Sequence, residues 1–327
     1  MIFLYLLGSV LLIILLSAKY KIHPVISLII VSFFLGLLLE IKAIDILKFI
    51  FEGILNSFYG IGLIIFLSCV IGQCLKKSSS LIIFSQILIN TFKNKTLSSL
   101  NIIGLFIGSV VFCDSAFLVL SGLTKSISST ATYSLNSLNL SLAGGLYTSH
   151  NLIPPTPGPV AILNNLNSIE LIGDVILYGF LISIPATLVS IIFASRLVKR
   201  KKIKIDYNFN VNYKKIVLPF LVIIIPLLII SVNTLSELIG LNLSNEEVKF
   251  IKRFSNANFA LLIGAIMSLF LPKVFENKKR IITDSFKEYY PIILLTSARS
   301  AFGNIIKNSE HVEILPLFFD SINNSLI

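Results

Sequence analysis

Charge is what this chain has least of. Only 13 % of its 327 residues are Asp, Glu, Lys or Arg, against about 25 % in an ordinary soluble domain. Hydrophobic residues make up 55 % and the mean hydropathy is +0.91. A soluble fold of this size needs a polar shell that so little charge cannot supply, so the solvent implied is lipid. Tryptophan is absent, and any aromatic belt at a membrane interface falls to the ten tyrosines. The three cysteines, Cys69, Cys74 and Cys113, are an odd number without metal-ligand spacing, and all lie in apolar stretches. They read as packing residues, not as a disulfide framework. The three histidines, His23, His150 and His311, are isolated, and no His-Glu-x-x-His or nucleophile-and-base pattern accompanies them. An enzyme is therefore not expected, nor a cofactor, nor a metal site.

What is present is a series of apolar runs. Segments free of Asp, Glu, Lys and Arg cover 2–18, 24–39, 53–75, 78–92, 175–195, 216–236 and 254–272. The run 96–124 is interrupted only by Asp114, and 289–306 only by Arg299. A spanning helix needs roughly 17–25 apolar residues. The expected spans are 2–18, 24–39, 53–75, 96–124, 132–150, 175–195, 216–236, 254–272 and 289–306, with 78–92 short or interfacial. The first run lacks a basic leader and a cleavage site, so it is read as a mature helix. The fold class expected is an all-α, multi-pass integral membrane protein forming one domain over 1–327.

The net charge is +11. Its basic residues lie in short gaps between apolar runs, which argues against a nucleic-acid patch and for marking of the cytoplasmic side. Arg196, Lys199, Arg200, Lys201, Lys202 and Lys204 form one cluster; Lys273, Lys278, Lys279 and Arg280 form another. Two spans separate them, so both face the cytoplasm. The loop between, with Glu237, Glu246 and Glu247 against Lys249, Lys252 and Arg253, faces outward.

Three places break the apolar pattern. Asp114 sits in Gly108-Ser109-Val110-Val111-Phe112-Cys113-Asp114-Ser115-Ala116-Phe117. An acid at membrane depth must pair, face a cavity or carry a proton. The second place is the 44-residue run 126–169, in which only His150 titrates near neutral pH. Within it, Thr148-Ser149-His150-Asn151 leads into Pro154-Pro155-Thr156-Pro157-Gly158-Pro159. Four prolines in six residues forbid a continuous helix. Irregular backbone at that depth survives where protein or a cavity covers it, the usual construction of a transporter site. The third is Thr296-Ser297-Ala298-Arg299-Ser300-Ala301-Phe302-Gly303-Asn304. Arg299 could receive a substrate carboxylate, pair with an acid such as Asp114, or snorkel to the interface.

The second break carries a signature. Gly145 through Pro159, with His150, Pro154-Pro155, Pro157 and Gly158-Pro159, resembles the His-x-x-x-Pro-Pro-x-Pro-(Gly/Ala)-Pro motif of the gluconate permease family. Phe112–Leu120 and Ser297–Gly303 look like two further elements of that family, in family order, although Arg299 and Ser300 stand where the later element has glycines. The resemblance implies a secondary active transporter with broken or re-entrant helices and an inverted-repeat architecture in the inner (cytoplasmic) membrane. It implies proton symport of gluconate or a related organic anion.

Asp114 and His150 are then the proton-coupling candidates. Thr148, Ser149, His150, Asn151, Pro154, Pro155, Thr156, Pro157, Gly158 and Arg299 are the substrate-binding candidates, with Asn164 and Asn165 as added contacts. Family members continue for several more spans, so the resemblance also implies a separately encoded C-terminal half or a homo-oligomer as partner. The competing expectations are a shortened, non-transporting remnant and a sodium-coupled carboxylate carrier. Asp114-Ser-Ala-Phe117 and Arg299-Ser-Ala-Phe302 share three of four residues, the echo that inverted repeats would leave.

Overall fold

The longest helix, α3 (Ala43–Lys77), shows how the sequence builds the fold. Asp45 lies in its first turn and Lys76 and Lys77 in its last, each complementing the helix dipole. Between them the apolar run is almost unbroken. Its 35 residues rise about 52 Å at 1.5 Å each, beyond the roughly 30 Å of a hydrocarbon core.

The structure is a computed structural model that describes residues 2–91, 95–128, 133–197, 217–239 and 254–309. Every regular element among them is helical. Besides α3 they are α1 (Ile2–Ile14, continued by a π turn over Leu15–Lys19), α2 (Pro24–Leu38), α4 (Ser80–Thr91), α5 (Thr96–Gly108), α6 (Cys113–Ser128), α7 (Leu135–Leu152), α8 (Pro157–Asn165), α9 (Ile172–Arg196), α10 (Val217–Leu238), α11 (Ala257–Ser268) and α12 (Lys278–Lys307). Most of the basic cluster 196–204, the outward loop from Glu246 to Arg253, and His311 lie outside the described residues.

Among the described residues, two segments are long and apolar enough to cross a bilayer alone, Ala43–Lys77 and Ile169–Arg196, the latter including a 3₁₀ turn before α9. Segments of α1, α2, α5, α10 and α11 are apolar but shorter. The run 96–124, expected as one span, is two helices, α5 and α6, parted at Ser109–Phe112. No proline marks that gap; packing sets it, as described below. Pro185, Pro226 and Pro291 sit inside α9, α10 and α12, which membrane helices tolerate when neighbours satisfy the freed carbonyls.

The chain forms two compact units. The first comprises 1–62, 164–167 and 290–327. Its core joins Leu35, Leu39, Ile46 and Ile50 to Ala301 and Ile305. Here α3 and α12 touch at backbone distance: a Cβ on Gly53 would lie 2.6 Å from Ala301 Cα and 2.8 Å from the Ser300 carbonyl oxygen. Small residues at such crossings are how membrane helices gain contact without a hydrophobic driving force.

The second unit comprises 63–163 and 168–289. Its centre is the packing of α5 on α7. A Cβ on Gly104 would meet the Leu142 carbonyl oxygen at 2.5 Å, and one on Gly145 would collide with the Asn101 carbonyl. Buried Asn101 donates from Nδ2 to the Ser141 carbonyl (3.0 Å) and to Ser190 Oγ on α9 (3.3 Å), while Ser141 Oγ donates to the Leu97 carbonyl (2.7 Å). Such polar bonds tie helices that lipid alone would not press together. The end of α3 and the start of α12 are joined by charge: Gln73 Nε2 donates to Glu288 Oε2, Lys76 lies 3.9 Å from Glu288, and Lys77 lies 3.4 Å from Asp284. The outer face of α9 exposes Leu181, Ile184, Leu188, Val189 and Phe193, an apolar surface suited to lipid.

Candidate functional site

In the second unit two helix interruptions lie side by side. The first separates α5 from α6. Its backbone closes through Val111 N–H to the Ile107 carbonyl (2.8 Å), and α6 starts with Ala116 N–H on the Phe112 carbonyl (3.0 Å). The second separates α7 from α8. α7 is capped by Ser134, whose hydroxyl accepts from Ser137 N–H, and it stops at Leu152. Ile153 turns into extended backbone, the Pro154–Pro155 bond is cis, and helix resumes at Pro157.

Three contacts join the two gaps. Gly108 packs on Leu146 and Ser149, with a virtual Cβ 2.7 Å from the Leu146 carbonyl oxygen. Phe112 and His150 meet edge-on, with ring centroids 5.0 Å apart and planes at 82°. Tyr147 donates its hydroxyl proton to Asp114 Oδ1. Asp114 and His150, the two proton-coupling candidates, thus stand in the same unit, each beside a partner from the other interruption.

Asp114 lies in the first turn of α6, where the dipole favours a negative charge. It is exposed, as is Tyr147. Tyr147 is the residue that sequence reasoning missed. A tyrosine in an apolar helix reads as an interfacial anchor, and the carboxylate it meets is 33 residues away.

The substrate-binding candidates divide by what their polar atoms already do. Ser149 is fully buried and shares its hydroxyl proton between the Gly145 and Leu146 carbonyls. Thr156 is buried and donates to the Ile153 carbonyl (2.6 Å). Asn151 is exposed and spends one N–H on the Tyr147 carbonyl (2.8 Å), keeping the rest of its carboxamide. Thr148 is half-buried. Pro154, Pro155, Pro157 and Pro159 have no amide, so the first turn of α8 offers the Gly158 N–H and little else. Amide donors are scarce in the break itself. Carbonyls are not.

Arg299, Asn164 and Asn165 fall in the first unit. Arg299 is exposed on α12. Its neighbour Ser300 donates to Asn165 Oδ1 (2.7 Å), so the last residue of α8 is fastened to α12 within that unit. Among the described residues no group of three or more His, Cys, Asp or Glu is placed to hold a metal ion.

The pattern of the GntP family permeases matches residues 1–327. The chain is 32 % identical over 181 residues to the gluconate permease of Bacillus licheniformis, a match covering 55 % of this chain and 40 % of that protein. It is 25 % identical over 338 residues to the D-serine transporter DsdX of Escherichia coli K12, covering 97 % and 74 % of the two chains. It is 24 % identical over 315 residues to the L-idonate transporter of the Gnt-II system of the same organism, covering 92 % and 71 %. The matches thus span from two fifths to three quarters of these relatives' length. With the family pattern running from the first residue to the last, the chain is a membrane protein of the GntP permease family, whose members are transporters and not enzymes.

Proposed function

We propose that the protein moves gluconate or a related small sugar acid across the cytoplasmic membrane together with a proton, as a multi-pass inner-membrane symporter. The paired interruptions in the second unit carry this reading. They place an acid at the start of a broken helix beside a tyrosine hydroxyl, and a histidine within one turn of that tyrosine. Named relatives point the same way, since gluconate, L-idonate and D-serine are all small carboxylates with a hydroxyl or amino group on the next carbon.

Asp114 is the proposed proton carrier, with Tyr147 orienting its carboxyl group. His150 is the second carrier, since an imidazole changes charge in the physiological range. Thr148, Asn151 and the carbonyls of Pro154 and Pro155 are the substrate-facing groups of the break, where a carbonyl accepts a sugar hydroxyl.

Purified protein in proteoliposomes should take up labelled gluconate when a pH gradient is imposed, acid outside. Asp114→Asn should abolish that uptake. Uptake by the variant equal to wild type would overturn the proton-carrier role, and uptake that follows sodium while ignoring pH would replace the proton by sodium.

A further inference from the structure

The first unit contains a cavity of about 590 Å³, inside the roughly 300–1,000 Å³ range of small-molecule sites. Its lining is half apolar, with Leu166 and Ile306, and half polar, with the amides of Asn56, Asn164, Asn165, Asn167 and Asn304 and the Ser300 hydroxyl. An asparagine both donates and accepts, so a cluster of them suits a ligand whose groups do the same, and the ligand class with most such groups per atom is a polyol. One cation, Lys307, closes α12 at the edge of this lining, and no acid is among the lining residues.

Some of the amides hold the wall together. Asn304 Nδ2 donates to the Phe49 carbonyl (2.8 Å), and Asn308 Nδ2 donates to Asn304 Oδ1 (3.0 Å). Asn164 Nδ2 likewise donates to the Asn56 carbonyl (3.4 Å), while Asn165 keeps its N–H groups for a guest. With its Oδ1 taken by Ser300, Asn165 turns its Nδ2 toward Gly303. Asn167 holds the left-handed conformation (φ 53°) that lets the chain turn out of α8, a conformation asparagine tolerates.

Gly303 is the informative position. It lies inside a helix, where glycine is unfavourable. Yet a Cβ there would touch only Asn165 Nδ2, at 3.6 Å, an ordinary contact. Gly53, across the same cavity lining, is glycine because Ala301 leaves no room; Gly303 has room and is still glycine. The side chain that packing would permit would occupy the cavity.

We infer that this cavity is a binding site for a polyhydroxylated carboxylate, with the asparagine amides and Ser300 on the hydroxyls and Lys307 on the carboxylate. The inference rests on the transport reading above and adds to the break a second place for the substrate, in the first unit, made by residues other than the proton-coupling pair. Binding of labelled D-gluconate to the full-length protein in detergent tests it, with monodispersity and thermal unfolding checked for each variant.

Wild type should bind. Gly303→Leu, which fills the cavity, and Lys307→Gln, at an exposed helix end where folding is not at stake, should each weaken binding at least tenfold. D-Glucitol, lacking the carboxylate, and hexanoate, lacking the hydroxyls, should each compete at least tenfold less well than gluconate. If wild type binds gluconate and the folded Lys307→Gln and Gly303→Leu proteins bind it equally well, the cavity is not the site while the transport reading stands. If hexanoate competes as well as gluconate, the hydroxyl-reading role of the asparagines is wrong. If wild type does not bind gluconate at all, the transport reading fails and this inference with it.

Discussion

Two tetrapeptides, Asp114-Ser115-Ala116-Phe117 and Arg299-Ser300-Ala301-Phe302, differ in one residue and sit in opposite kinds of structure. The first opens α6, directly after an interruption, with its acid in the turn where a helix dipole welcomes negative charge. The second lies deep inside the 30-residue α12. The alanine is fully buried in both. Ala301 faces the backbone crossing at Gly53, and Ser300 donates to Asn165. For Ser115 the structure shows no comparable hydrogen bond. Shared residues therefore record a shared demand for small side chains at helix contacts, and the local backbone is set by what surrounds them.

The sharpest way to break that comparison is proline. Ser300→Pro removes an interior helix bond and strains the preceding turn, and should cost about 3 kcal/mol or more. Ser115→Pro falls in a first turn whose amide has no intrahelical acceptor, and should cost far less. Thermal unfolding of the two variants in detergent would show the gap; equal losses would mean that α6 does not begin at Cys113.

A smaller contrast comes from alanine. Ser300→Ala leaves Asn165 Oδ1 without its donor and should destabilise by about 1–1.5 kcal/mol. Ser115→Ala should stay within about 0.5 kcal/mol. Smallest in free energy is Tyr147→Phe, which takes only the hydroxyl from Asp114. With both side chains exposed, unfolding should not move, whereas pH-gradient-driven uptake should fall roughly fivefold, the effect of losing about 1 kcal/mol of hydrogen bonding in the working state. Unchanged uptake would reduce the Tyr147–Asp114 bond to a surface contact.

The two interruptions also show what a sequence can disclose. The break after Leu152 was legible because proline acts through its own covalent structure: it lacks an amide and clashes with the preceding turn, whatever its neighbours. The break at Ser109–Phe112 was not. Its residues are apolar or small, and hydropathy runs through it unbroken. What parts the helices there is Gly108 seated on α7 and Phe112 set against His150, contacts across about forty residues of chain. Asp114 was visible as a lone charge in an apolar run; its tyrosine was not, because a hydroxyl on a large ring does not disturb hydropathy. Asn164 and Asn165 were noticed as polar, but their neighbours on α3 and α12 lie more than a hundred residues away along the chain, and no spacing rule connects them.

One feature of the break reaches further than its geometry. Each proline deletes a hydrogen-bond donor and keeps an acceptor, so Pro154, Pro155, Pro157 and Pro159 leave the stretch four amide donors short of its carbonyls. The stretch is electron-rich without bearing any formal charge. Water molecules, hydronium and hydroxyl-bearing solutes can all give it a proton to share, whereas a bare carboxylate finds almost nothing there to hold. A segment of that polarity suits partners that can donate a proton and is poorly equipped to hold a bare anion.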